Sequence, residues 1–144
     1  MVYWFKKYIL DPTNGLKLVQ TISRESLKAL GDTNDVYVNG IRHESEDSIL
    51  LADRNNSNIK RLQMSSGNVS VVYNEPNKDW YIKDVGYYVD STSRLLVLLE
   101  KKGLRGIQKT RVVLLREKAG KFQVTQEFPL EDVDVCTCSV FQIP

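Results

Sequence analysis

Histidine is almost missing from this chain: His43 stands alone among 144 residues. One imidazole cannot build a multi-histidine metal site, and a Ser-His-Asp triad would have no spare partner. His43 is therefore read as a surface residue at a strand end. Cysteine is as scarce, with only Cys136 and Cys138. They alternate with Thr137 in a strand-like stretch, so both side chains point the same way and form no stapled framework. Small apolar strand residues are the expectation for both, rather than ligands of a soft metal. That pattern leans toward a reducing compartment, whereas the sequons Asn55-Asn56-Ser57 and Asn68-Val69-Ser70 lean away from one, and localisation stays open. No apolar run nears the roughly 20 residues that span a bilayer, and Met1 to Leu10 lacks a basic region followed by a small-residue cleavage site. Neither a membrane segment nor a signal peptide is expected. Strong charge is absent too: the net charge is +2, too weak a field to call for nucleic acid or an anionic membrane. The basic stretch from Lys101 to Arg111 lacks the interleaved aromatics that stack on bases and is expected to be solvated.

Helical periodicity is also nearly absent, and what remains is short apolar runs broken by turn residues. Trp4 to Leu10 and Leu16 to Ile22 flank Asp11-Pro12-Thr13-Asn14-Gly15, where Asn-Gly accepts the positive φ angles of a tight hairpin. Ser23 to Leu30 can begin a helical turn with Ser23 as its cap, but Gly31 and Asp32 stop it, so it is a connector. Four strands follow: Val36 to Arg42, Ser48 to Ala52, Ile59 to Met64 and Val69 to Tyr73. The compact turn Ser65-Ser66-Gly67-Asn68 joins the last two, which predicts one antiparallel meander.

The same order recurs downstream. Tyr81 to Val89, Leu95 to Leu99, Arg111 to Leu115 and Phe122 to Glu127 match the four strands in turn, with Lys118-Ala119-Gly120 where Ser65-Ser66-Gly67 stood. Asn39 to Asp84 spans 45 residues and Gly67 to Gly120 spans 53, so an insertion is placed in Glu100 to Thr110 as a longer solvated loop. A third unit starts over Val133 to Phe141. One meander cannot cover both of its faces, so neighbouring units are expected to stack.

The segment Leu50-Leu51-Ala52-Asp53-Arg54-Asn55-Asn56-Ser57-Asn58-Ile59-Lys60-Arg61-Leu62, followed by Ser66-Gly67 and Val69, resembles a repeat of the six-bladed β-propellers of the NHL and gluconolactonase-like groups. In such a repeat Asp53 caps the amides of its own turn, a structural role. The resemblance is closest over Val36 to Tyr73 and looser over Tyr81 to Phe128, where Leu98-Leu99-Glu100 replaces the Ala-Asp step. It implies an all-β fold of antiparallel four-stranded meander blades in a partial β-propeller. The chain then divides into a hairpin and connector (1–30), a blade (31–75), a second blade (76–130) and the start of another (131–144). Closed relatives have six blades, so the resemblance implies either a fragment of a longer chain or completion by another copy, as a homo-oligomer.

Val38-Asn39-Gly40-Ile41 is similar to the segment by which gluconolactonase-like and arylesterase-like propellers place an Asn carbonyl oxygen on a central divalent metal. By that resemblance Asp84 corresponds to a metal-binding carboxylate, and Asp134 takes a similar inner position in the third unit. Oxygen ligands of this kind suit Ca2+ or Mg2+. The plainer reading makes Asn39-Gly40 a turn entering a strand and Asp84 a solvated inner-edge residue. Two functions follow. The first is a non-catalytic binding module without a cofactor, whose loops recognise a protein or small-molecule ligand. Trp80 and Tyr81, at the entry to the second blade, are its candidate binding residues, although aromatics there also pack between blades. The second is a metal-dependent lactonase or esterase in which Ca2+ or another divalent cation polarises a carbonyl or activates water. The binding module is preferred, because the ligand set is incomplete and no second histidine offers a general base.

Overall fold

The alternating apolar runs form strands, and the Asn, Asp and Gly clusters form the turns between them. The computed structural model describes residues 4–89, 93–102 and 108–130. Strands β1 (Trp4–Asp11) and β2 (Gly15–Ser23) pair as an antiparallel hairpin. Asp11 closes it by accepting the backbone N–H groups of Thr13 at 2.8 Å and Asn14 at 3.2 Å, which holds its carboxyl below the ordinary carboxylate range. A single 3-10 turn, Glu25–Leu27, follows. Ser23 Oγ accepts the Ser26 N–H there at 3.3 Å, although Arg24, one residue later than expected, takes the N-cap position.

Strands β3 (Val38–Ser45), β4 (Ser48–Asp53), β5 (Asn58–Gln63) and β6 (Val69–Asn74) form one four-stranded sheet in chain order. Strands β7 (Tyr81–Val89), β8 (Ser93–Lys102), β9 (Gln108–Lys118) and β10 (Lys121–Leu130) form another, also in chain order. The fold is thus all-β, built from antiparallel meanders of two and four strands. The β9–β10 connection places Ala119 at φ 53° and Gly120 at φ 79°, the paired positive values that match the strand twist in a two-residue hairpin. Among the described residues no helix is long and apolar enough to cross a membrane.

One expectation is corrected. Both ends of the loop placed over Glu100 to Thr110 are strand, since β8 and β9 stay paired through Glu100↔Thr110, Lys101↔Lys109 and Lys102↔Gln108. Continuing the ladder satisfies backbone groups that a loop would leave to water. The polar composition marked surface rather than loss of strand. The third unit, with Asp134, Cys136 and Cys138, lies outside the described residues.

The two four-stranded sheets pack on each other, β7 against β3, β4 and β5, and β10 against β6. Their inner faces share one core that includes Leu50, Ala52 and Ile59 from the first sheet and Val85, Val97 and Leu115 from the second. Each Val, Leu or Ile among them contributes about 1.5–3 kcal/mol when taken out of water. The opposite face of the first sheet, with Leu51 and Leu62, buries Ile22, Leu27 and Val36 from the N-terminal connection. At the rim Arg61 of β5 ties the sheets together. It donates to Glu44 at 2.6 and 2.7 Å and to Glu117 of β9 at 3.0 Å.

Candidate functional site

Both sheets open with the same irregularity. The β3–β4 register skips Asn39, pairing Val38 with Asp53 and Gly40 with Ala52, and the β7–β8 register skips Lys83, pairing Ile82 with Leu99 and Asp84 with Leu98. A bulge adds one residue and re-aims the side chains around it. By bulge position Asn39 therefore corresponds to Lys83, and Gly40 to Asp84, one residue off the spacing inferred from sequence. Asn39 is exposed while Asp84 is 7% exposed. Asp84 Oδ1 accepts the Val85 N–H at 2.8 Å and Oδ2 accepts Arg42 at 2.9 Å. A divalent cation on Oδ2 would have to displace that guanidinium. Among the described residues no group of three or more His, Cys, Asp or Glu side chains is placed to hold a metal ion.

Gly40 has a steric reason to be glycine. A Cβ there would stand 2.5 Å from Asp84 Oδ1, well inside contact distance. Replacing Gly40 with alanine is expected to cost about 1–3 kcal/mol through overpacking and to break the Arg42–Asp84 pair. Thermal unfolding checks the first effect. An Asp84→Ala background, where the obstruction is gone, should erase most of the penalty.

Deeper in the first sheet lies a charged network that the sequence did not announce. Lys60, on a central strand and fully buried, donates from Nζ to Asp32 Oδ2 at 2.6 Å and to Asp53 Oδ2 at 2.5 Å. Asp53 Oδ1 also accepts the N–H groups of Tyr37 at 3.0 Å and Asn56 at 3.4 Å. It therefore caps its turn as expected and serves as a counter-ion besides. Burial alone would raise the Asp32 pKa, but the Ala29 N–H, Lys60 and Asn58 outweigh it and hold the carboxyl below its ordinary value.

A second buried cluster sits between the sheets. Glu75 is 1% exposed. It accepts the Tyr73 hydroxyl at 2.6 Å and pairs with Arg111 of β9 at 2.6 Å. Burial, then the neighbouring Glu75, pushes the Tyr73 phenol up. Arg111 lies over the Trp80 ring, 4.6 Å from its centroid. Trp80 packs against the shared core, and Ser57 donates to its carbonyl at 2.7 Å. Tyr81 is half-buried with Arg54 4.7 Å from its ring centroid. The two aromatics thus part company, Trp80 into the sheet interface and Tyr81 onto a cleft.

That cleft has a volume of about 780 Å³ and runs beside the Lys60 network to the outer strand β6. Asp32, Asn58, Asn74, Lys78 and Tyr81 are among its lining residues. Lys78 donates to the Asn56 carbonyl at 3.0 Å and to Asn74 Oδ1. Partial burial lowers its pKa against the pull of Glu75, Asp32 and Asp53. Lys60 and Asp32 were missed because each looks ordinary locally. The available signal was a lysine two residues from Leu62, on the same face of a central strand, facing a turn aspartate one strand away. No family model, no curated protein and no solved structure matches this chain.

Proposed function

We propose that the chain is a non-catalytic interaction module of the propeller type, its two meanders acting as blades that bind through apolar sheet surfaces. The observation that carries this reading is the packing of one four-stranded meander on the other, β7 against β3 and β4 and β10 against β6, with apolar side chains remaining on the outer surfaces. On β10, Val124 and Phe128 are 43% and 46% exposed, and on the hairpin Leu10 and Leu16 are each 71% exposed. Half-buried Leu96, Val112 and Leu114 sit on the central strands of the second sheet. Apolar surface of this kind favours association with another sheet. The occupant proposed is a second copy of the chain. Edge strands with unpaired backbone groups add to the same tendency.

Light scattering on the purified chain tests it. A monodisperse species at a multiple of 16.5 kDa is expected. Phe128→Lys with Leu16→Lys should return it to the monomer while leaving the circular dichroism spectrum unchanged. A wild-type chain that stays monomeric at high concentration overturns the proposal.

A further inference from the structure

We propose that the cleft beside β6 binds an extended acidic peptide. Four consecutive residues of that strand, Val71 to Asn74, line it, and among the described residues β6 pairs with β5 alone. Its outward backbone groups can therefore accept an added strand. Two amides beside that edge make the complementary match. Asn58 is 4% exposed and donates from Nδ2 to Asp32 Oδ1 at 3.0 Å. Its own Oδ1 is buried and, among the described residues, accepts no hydrogen bond. Asn74 is its register partner across β5 and β6. There Oδ1 is taken by Lys78, and among the described residues Nδ2 has no protein acceptor.

The neighbouring strands thus present one acceptor and one donor, the complement of a peptide group, which carries one N–H and one C=O. A buried acceptor left unmatched costs about 1–3 kcal/mol, so a ligand N–H reaching Asn58 gains what the free protein lacks. An ionised carboxylate has no proton to give it. Charge selects among peptides. Lys78 and Lys121 line the cleft as cations, whereas its lining carboxylate, Asp32, is already paired with Lys60. An acidic side chain next to the docked backbone would meet both ammonium groups. This surface includes none of Leu10, Leu16 and Phe128, so the peptide and the second copy can fail separately.

The experiment is a titration of the isotopically labelled chain, followed by amide NMR, with three probes: acetyl-DVTVD-amide, acetyl-KVTVK-amide and cellotriose. The acidic peptide is expected to shift the signals of Val71 to Asn74 and the Asn58 side-chain amide, with an affinity about tenfold above that of the basic peptide. Asn74→Ala and Lys121→Glu, both at exposed positions, should each weaken it about fivefold or more while the melting temperature holds. Equal binding of the two peptides overturns the proposal, as does shifting of these signals by cellotriose alone or no shift at millimolar peptide.

Discussion

Replacing Lys60 with alanine is expected to destabilise the chain by about 3–5 kcal/mol, the usual consequence of leaving buried charge without its partner. Two carboxylates lose their shared cation at once, and the Asp32 and Asp53 side chains are 1% and 0% exposed. Water cannot reach them to compensate. Urea unfolding measures the loss, read from the midpoint at constant slope. A triple variant, Lys60→Met with Asp32→Asn and Asp53→Asn, removes the charges together and should recover most of it, because an apolar or neutral replacement of a buried ion network is often close to neutral. pH supplies a further check. The Asp32 pKa is lowered in the folded chain, so its contribution is complete above the unfolded-state value and disappears as pH falls through the folded one. The gap between wild type and Lys60→Ala should accordingly narrow in acid. A loss below about 1 kcal/mol at neutral pH, the range of exposed pairs, would show that the network is not buried as ions.

Glu75→Ala is expected to be the second most damaging substitution, at about 3 kcal/mol. It strips the Tyr73 hydroxyl of its acceptor and leaves Arg111, 17% exposed, with the more exposed Glu127 at 3.3 Å as its one carboxylate among the described residues. Because Arg111 also stacks on Trp80, the damage should spread to the sheet interface and change the tryptophan fluorescence in the native state. Glu75→Gln keeps an acceptor for the tyrosine but not the charge, so it should fall between wild type and alanine. Equal losses for both variants would assign the whole effect to the ion pair. Wild-type stability in Glu75→Ala would mean that Arg111 finds solvent freely.

The strands were legible from the sequence because alternation with period two and Asn-Gly or Ser-Gly turns are local properties. Leu50 to Asp53 and Ile59 to Leu62 announce a hairpin without help from the rest of the chain. The misread ends of the Glu100 to Thr110 stretch, Glu100 to Lys102 and Gln108 to Thr110, show the limit of composition: Lys101 and Lys109 are polar yet directly paired in the ladder. Site residues were less legible. Asp53 was found as a turn cap, but its partner Lys60 belongs to the next strand and Asp32 to a connector, and only folding joins the three. Asn39 and Asp84 looked equivalent by count, and the bulges shift that equivalence by one residue.

From their own order the described residues determine ten strands, their turns and an antiparallel meander order, since these depend on backbone preferences and side-chain alternation over a few residues. Tertiary structure alone decides which charges are buried together, which bulges face one another across the sheets, and that Asn58 and Asn74 sit side by side on a cleft. Electrostatic and steric terms at 3 Å depend on contacts between residues dozens of positions apart, and no local pattern encodes such distances.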